Sequence, residues 1–130
     1  MVATGGFQVV SWDENTYEGG DDGRKLTEAV VGQRFEGDLE GEGQARWLMC
    51  YRPDGSAAFV GLQRVEGTLK GRRGAVVFQT TGTFDGEVAR WSAEVIQDSA
   101  TGELERLTGG GTFEAPMGSA ASFTLDVRLP

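Results

Sequence analysis

The chain contains no histidine and only one cysteine, Cys50, among its 130 residues. Without histidine, the Ser-His-Asp and Cys-His catalytic arrangements and histidine-ligated zinc sites are excluded, as is the usual general base at neutral pH. One cysteine can form neither an intramolecular disulfide nor a cysteine-rich zinc site. Because Cys50 lies in the apolar run LMCY, we expect a buried packing thiol and not a nucleophile.

Positive charge is also scarce: the chain has 12 basic and 20 acidic residues, which gives a net charge of -8. A nucleic-acid backbone or an anionic membrane would be repelled on average, so neither is an expected partner. The sequence has no early signal-peptide pattern and no run of about twenty apolar residues, and these absences predict a soluble, cytoplasmic protein.

Proline is rare as well, with three residues beside 21 glycines and a hydrophobic content of 38%. This balance favours glycines in turns and bulges of β structure over a low-complexity segment. The length predicts one domain, spanning residues 1–130.

Three turn signals divide the middle of the chain into β-hairpins: RPDGSA at 52–57, LKGRRGA at 69–75 and FDGE at 84–87. Counting outward from each turn predicts the pairs Tyr51 with Ala57, Val65 with Thr80 and Phe78 with Ala93. The three predicted registers agree with one another: each of them places the same alternate residues on one face of a four-stranded meander. That face is aromatic with a few polar groups, and its members are Trp47, Met49, Tyr51, Phe59, Gln63, Val65, Phe78, Thr80, Trp91 and Ala93.

The other face is aliphatic in its centre, with Leu48, Val60 and Leu62, and charged at its margins. An aliphatic face of this kind needs a cover, either from the terminal segments or from another subunit. We therefore expect a homo-oligomer, a dimer or a trimer. Glu66 and Gln79 are predicted neighbours on this face.

The flanking segments add further strands, at 4–12, 25–37, 111–114 and 119–129, with an acidic mobile loop at 13–23 and one capped helical turn at 99–109. The loop contains Tyr17, which could belong to a lid. Roughly eight strands with short turns predict an all-β fold, a closed antiparallel barrel, with a β-sandwich as the alternative.

Several segments resemble the bacterial domain of unknown function 3224 family: SWDE at 11–14, KLT at 25–27, GDLEGEG at 37–43, the run from Leu48 to Leu69, FQTTGTFDG at 78–86, and the run from Ser99 to Pro116. The resemblance covers nearly the whole chain in order. It implies the allene-oxide-cyclase-like barrel, shared in outline with dirigent proteins, and it implies no general activity. Family members often have Glu where this chain has Gln63 and His where it has Thr80. If those residues form a carboxylate-imidazole pair in the relatives, this chain has lost both members.

The aromatic face has two interpretations, a filled core or a pocket for a hydrophobic molecule. In the pocket interpretation Trp47, Met49, Phe59, Val65, Phe78, Thr80, Trp91 and Ala93 would contact the ligand. Tyr51 and Gln63 would orient it, and the Tyr51 hydroxyl would donate to a developing oxyanion. Glu42 is a further catalytic candidate, because the strand that follows it leads to Trp47. The cluster of Asp38, Glu40 and Glu42 lacks calcium-loop spacing, so no metal site is predicted.

These residues favour a cofactor-independent cyclase or isomerase that folds a polyketide-like or lipid-derived molecule in the lumen. The alternatives are a non-catalytic carrier of such a ligand and a filled barrel that acts as an oligomeric module. A cavity bordered by Trp47, Tyr51 and Trp91 would distinguish the ligand hypotheses from the filled barrel.

Overall fold

The computed structural model describes the whole chain, Met1–Pro130, and consists of β-strands and turns without any helix. There are nine strands: β1 (Val2–Gly19), β2 (Lys25–Gly37), β3 (Leu39–Tyr51), β4 (Ala57–Leu69), β5 (Arg72–Phe84), β6 (Val88–Val95), β7 (Thr101–Gly102), β8 (Thr108–Pro116) and β9 (Ala121–Arg128). No helix is present that is long and apolar enough to cross a membrane.

The strands form one closed antiparallel barrel. Each of β1 to β5 pairs with the next strand along the chain, β6 pairs with β8, β8 with β9, and β9 returns to β1. The short strand β7 lies outside this ring of eight and pairs with β5 through Gly74 and Ala75. The predicted barrel is therefore confirmed, and the sandwich alternative is wrong because the strand order closes on itself.

Alternation decides which side chains fill the barrel. In β2 the residues Ala29, Val31 and Phe35 are buried, while their neighbours Glu28 and Arg34 are exposed. In β9 the buried set is Ala121, Phe123, Leu125 and Val127. Because successive side chains point to opposite faces of a strand, this period of two places every second residue in the lumen.

The first hairpin has the predicted register, with Tyr51 opposite Ala57 and Met49 opposite Phe59. Gly55 has a φ of 88°, the left-handed conformation that the turn requires. The second hairpin differs from the prediction: its turn is the pair Lys70 and Gly71, and Val65 lies opposite Val76 instead of Thr80. This register also puts Glu66 opposite Ala75, so the predicted pairing of Glu66 with Gln79 is wrong.

The third hairpin also differs, because Phe78 lies opposite Val95 and not Ala93. Asp85 explains the longer loop: its Oδ1 accepts hydrogen bonds from the backbone N–H groups of Glu87 and Val88, both at 2.8 Å. The error in each of the two hairpins is an even number of residues. The predicted faces therefore stay intact, and all members of the predicted lumen face are buried except Tyr51, which is half-buried.

The first strand is longer than predicted. Residues Asp13 to Gly19 continue β1 and pair with β2, so the expected mobile loop shrinks to the short connection after Gly19. Tyr17 lies on this strand and is exposed. Beyond Phe7, β1 has no partner on its β9 side, because β9 begins at Ala121. This free edge of β1 borders one mouth of the barrel.

The segment at 99–109 is not a helical turn. It contains β7 and successive tight turns, in which the backbone N–H of Leu107 donates to the carbonyl of Leu104 at 3.0 Å. The Ser99 hydroxyl exchanges hydrogen bonds with the backbone of Val77 instead of capping a helix. Leu104 and Leu107 are nevertheless buried as predicted.

The outer face of β3 and β4 is open to solvent. Leu48, Val60 and Leu62 are each 51% exposed, and they form an aliphatic patch on neighbouring strands. Cys50 is also exposed, so the expectation of a buried thiol is wrong. The reason is parity: Cys50 is an even-numbered residue of β3, and the odd-numbered ones face the lumen.

Candidate functional site

The middle of the lumen is filled by aromatic rings. The centroids of Trp47 and Trp91 are 4.8 Å apart, and Trp91 stacks on Phe113 at 5.3 Å with parallel planes. Phe7 lies edge-on to both Trp91 and Phe113. The space lower down, beside Val65, amounts to about 10 Å³, no more than one water molecule needs.

Two buried polar groups hold the two indoles. The indole N–H of Trp91 donates to Gln63 Oε1 at 3.1 Å, and Gln63 Nε2 donates to Gln33 Oε1 at 2.9 Å. The indole N–H of Trp47 donates to the Thr80 hydroxyl at 3.0 Å, which in turn donates to the carbonyl of Gly61. Because an indole can only donate, it fixes the orientation of the Gln63 amide. The chain of bonds ends at Gln33 Nε2, a buried donor without a partner.

A cavity of about 840 Å³ opens above this core, at the mouth of the barrel. Its floor includes Met49, Phe59 and Phe84; one wall is the free edge of β1, and the other is the β8–β9 hairpin, residues 115–121. Of its 19 lining residues 12 are hydrophobic, so the cavity suits a mainly apolar molecule. We call it the mouth pocket.

A second groove, of about 490 Å³, crosses the outside of β5, β6, β8 and β9. It is lined mainly by polar side chains such as Thr81, Ser92, Thr112 and Thr124, which lie opposite one another in that order across the four strands. It is shallow and open, and its charged side chains, Arg90 and Glu114, are about half exposed and form a salt bridge with each other at 3.3 Å. The mouth pocket is the better candidate site.

A β-bulge in β1 provides the polar part of the mouth pocket. The register shifts between Val9 and Ser11, so inward-facing residues are odd-numbered up to Val9 and even-numbered from Trp12 to Thr16. Trp12 and Glu14 consequently lie opposite Val31 and Ala29, on the inner face of the sheet.

Three donors hold the Glu14 carboxylate. The indole N–H of Trp12 reaches Oε1 at 2.8 Å, while the hydroxyls of Thr27 and Tyr51 reach Oε2 at 2.6 and 2.7 Å. The Lys25 ammonium lies 4.7 Å from the centre of the Tyr51 ring. Glu14 is therefore fixed on the wall of the pocket beside Tyr51.

These contacts determine the charge of the pair. Partial burial alone would raise the pKa of Glu14, but the hydrogen bonds from Thr27, Tyr51 and Trp12, with the charge of Lys25, lower it below its ordinary value of 4.5. Burial, together with the hydrogen bond to Glu14 and its charge, raises the pKa of Tyr51 well above its ordinary value of 10.0. At neutral pH Glu14 is thus an anion and Tyr51 a neutral donor.

The residues predicted for one site divide into three groups. Tyr51, Met49 and Phe59 line the mouth pocket. Gln63, Trp47, Val65, Phe78, Thr80, Trp91 and Ala93 lie buried below it, in the packed core. The mouth pocket borders Tyr51 but neither of the two core indoles, and the 4.8 Å between the ring centroids of Trp47 and Trp91 leaves no space for a ligand between them. Glu42 is exposed on the outer face of β3, opposite Arg34 and Glu66, because alternation continues without a break through β3.

Sequence reasoning missed Trp12, Glu14 and Thr27. The signal was present as the alternation Trp12, Glu14, Thr16 within a segment whose acidic composition resembles a loop. The bulge hides this signal, since it reverses the parity within one strand.

The site offers a hydrogen-bonded carboxylate and a phenol beside an apolar cavity. No group of three or more Cys, Asp or Glu side chains is arranged to hold a metal ion. A lowered pKa makes Glu14 a weak base, and a raised pKa keeps the Tyr51 proton in place, so the pair is better suited to binding and to stabilising positive charge than to proton transfer.

Fold and site together define a closed eight-stranded β-barrel with an apolar pocket at its mouth. The family model for proteins of unknown function DUF3224 matches residues 3–127, and the chain belongs to that family. A crystal structure of a DUF3224 protein of unknown function from Shewanella oneidensis MR-1, at 1.84 Å resolution, is similar with a TM-score of 0.83. The two sequences are 28% identical, over 100% of this chain and 98% of that one. No curated protein gives a significant match.

Proposed function

We propose that this protein binds a hydrophobic small molecule in the mouth pocket. The observation that supports the proposal is the cavity itself, about 840 Å³ and largely apolar, directly above a core that is already filled. Pockets for small molecules have this size and lining. The core below needs no ligand for its packing, so the pocket can fill and empty while the barrel stays folded.

The pocket combines a firm floor with a less constrained wall. Phe59 is fully buried against Trp47, with ring centroids 4.7 Å apart, whereas Met117 on the opposite hairpin is 71% exposed. An exposed methionine beside an apolar cavity can adapt to ligands of different shape. This arrangement favours a carrier or receptor of hydrophobic ligands.

A cofactor-independent cyclase or isomerase is the second candidate, favoured by the Glu14 and Tyr51 pair on the pocket wall. Such an enzyme would hold a flexible chain in its reactive shape, and the carboxylate would stabilise positive charge that develops in the transition state. The Tyr51 proton is engaged by Glu14, so donation to an oxyanion would first require that bond to break.

Titration calorimetry with 1-naphthalenemethanol, a neutral apolar probe, tests binding. Ala115→Phe fills the pocket from β8 and should abolish the heat of binding, while Ala58→Phe, on the outer face of β4, should leave it unchanged. Equal binding by the two variants would contradict the proposed site.

Native mass spectrometry of freshly purified protein tests whether the pocket also performs chemistry. A molecule that copurifies with wild type and not with Ala115→Phe would identify the ligand. If that molecule is converted to an isomer by wild type and more slowly by Glu14→Gln or Tyr51→Phe, the enzyme candidate is favoured. Conversion at the same rate by wild type and both variants would contradict the role given to the pair.

A further inference from the structure

The mouth pocket is apolar, but its charged groups have one sign. Glu14 and Glu36 line it, and no lysine or arginine does. Lys25 is exposed and lies over the Tyr51 ring, outside the pocket lining. The chain as a whole is acidic, with a net charge of -8. The lining therefore offers an anionic ligand two carboxylates and no cation.

Glu14 differs from Glu36 in the way it is held. Its carboxylate is half-buried and receives three hydrogen bonds, from Trp12, Thr27 and Tyr51. Glu36 is exposed at the rim, opposite Gly6. A side chain that is already ordered loses little conformational entropy when a ligand binds, so Glu14 is the better anchor.

The carboxylate has room for one more donor. A carboxylate offers about four acceptor positions. Oε2 receives two hydrogen bonds, and Oε1 receives only the one from Trp12, so a position remains on Oε1. Trp12 lines the pocket beside this oxygen, since its indole N–H donates to Oε1. The face of an indole ring attracts a cation and does not attract an anion.

We propose that the mouth pocket selects amphiphilic ligands whose apolar body carries a cationic amine, with the ammonium group on Glu14 Oε1. This inference rests on the proposed function, because it names the ligand class of the same pocket. It disfavours free fatty acids and other carboxylates among lipid-derived ligands, because their head group would face Glu14 and Glu36.

Three probes with one apolar body test this selectivity: 1-naphthalenemethylammonium, 1-naphthalenemethanol and 1-naphthoate, each titrated calorimetrically at neutral pH. The ammonium probe should bind roughly tenfold more tightly than the alcohol, as a charge-assisted hydrogen bond allows, and the carboxylate should bind most weakly. In Glu14→Gln the ammonium probe should fall to the affinity of the alcohol, while the alcohol keeps its own. The control Glu40→Gln removes an exposed carboxylate outside the pocket lining and should change the ammonium affinity by no more than about twofold, because an exposed, distant charge is screened.

The outcomes separate the two proposals. No binding of any probe to wild type would contradict the proposed function itself. Binding of all three with equal affinity, or tightest binding of 1-naphthoate, would leave ligand binding intact and overturn the selectivity. Loss of alcohol binding in Glu14→Gln would show that this variant had lost its pocket. In that case Tyr51→Phe, which keeps the carboxylate, provides the test and should still bind the ammonium probe more tightly than the alcohol. Equal binding of the two probes by Tyr51→Phe would overturn the inference.

Discussion

Single residues decide what the inside of this barrel can do. Gln63 and Thr80 occupy the two central positions at which relatives are expected to have titratable groups, and here each accepts a hydrogen bond from one indole. Neither side chain reaches a cavity. The middle of this lumen therefore holds packed side chains and no titratable group, and the titratable pair of this chain, Glu14 and Tyr51, lies at the mouth.

The structural role of Gln63 gives a stability prediction. Gln63→Leu keeps a similar volume but leaves the Trp91 N–H and Gln33 Oε1 without partners. Two buried polar groups that each lose a bond should lower the free energy of unfolding by roughly 2 to 4 kcal/mol. Gln79→Leu, on the exposed face of β5, is the matched control and should change it by less than about 0.5 kcal/mol. Chemical denaturation measures both values, and similar stabilities for the two variants would show that the amide chain contributes nothing.

Glu14 gives a prediction about acid. Its folded-state pKa lies below the ordinary value of 4.5, so its ionised form stabilises the fold above that pH, and this contribution is lost as the pH falls through the lowered pKa. From neutral pH to well below 4.5, the unfolding free energy of wild type should therefore fall more steeply than that of Glu14→Gln. Urea titrations at several pH values measure the difference. Two parallel pH profiles would mean that Glu14 is not held as described.

At the scale of the strand, hairpin turns could be located from the sequence more reliably than their registers. The segment LKGRRGA offers two glycines for the second turn, and the sequence cannot decide between them. The fold uses Gly71 in the turn, with a φ of 86°, and uses Gly74 where β5 approaches β7 so closely that a side chain would meet the carbonyl of Thr101. The predicted division of side chains between the inner and outer faces is still correct, because the predicted and observed registers of this hairpin differ by an even number of residues.

The mouth pocket could not be predicted in the same way. It depends on the bulge after Val9, which reverses the parity of β1, and on a strand that continues through an acidic segment typical of a loop. Both features come from pairing with β2, a contact between separate segments that local composition does not encode. The aromatic face was predictable because no bulge interrupts β3, β4 or β5.

The second turn can be tested directly. Lys70 and Gly71 both have positive φ, at 46° and 86°, and a side-chain carbon at Gly71 would meet nothing within 4 Å. Gly71→Ala should therefore cost only the backbone penalty of the left-handed conformation, about 1 to 2 kcal/mol. Gly19→Ala, at the end of β1, should be nearly neutral. Thermal unfolding compares the two, and a neutral Gly71→Ala would contradict the assigned turn.

At the scale of the whole molecule, the aliphatic patch of Leu48, Val60 and Leu62 still predicts an oligomer. Two exposed ion pairs, Arg46 with Glu28 and Arg64 with Glu66, lie beside the patch, and an apolar centre with a polar rim is typical of protein interfaces. Light scattering after size-exclusion chromatography should give the mass of a dimer or trimer for wild type and of a monomer for Val60→Lys. Thr112→Lys, on the outside of β8, should keep the mass of wild type. The mass of a monomer for the wild-type protein would contradict the predicted oligomer.

The whole molecule thus separates two tasks. The middle of the lumen is packed with rings and its lower part with aliphatic side chains, which together provide stability, and the mouth holds the cavity and its one firmly held charge. The most direct test of this separation uses the three methionines. Met49 and Met117 line the mouth pocket, whereas Met1 lies far from it, beside Val127. Methyl resonances of labelled methionine should be followed while 1-naphthalenemethanol is added. We predict ring-current shifts of Met49 and Met117 that saturate together, with Met1 unchanged; shifts of none of them, or of Met1 alone, would contradict ligand binding at the mouth.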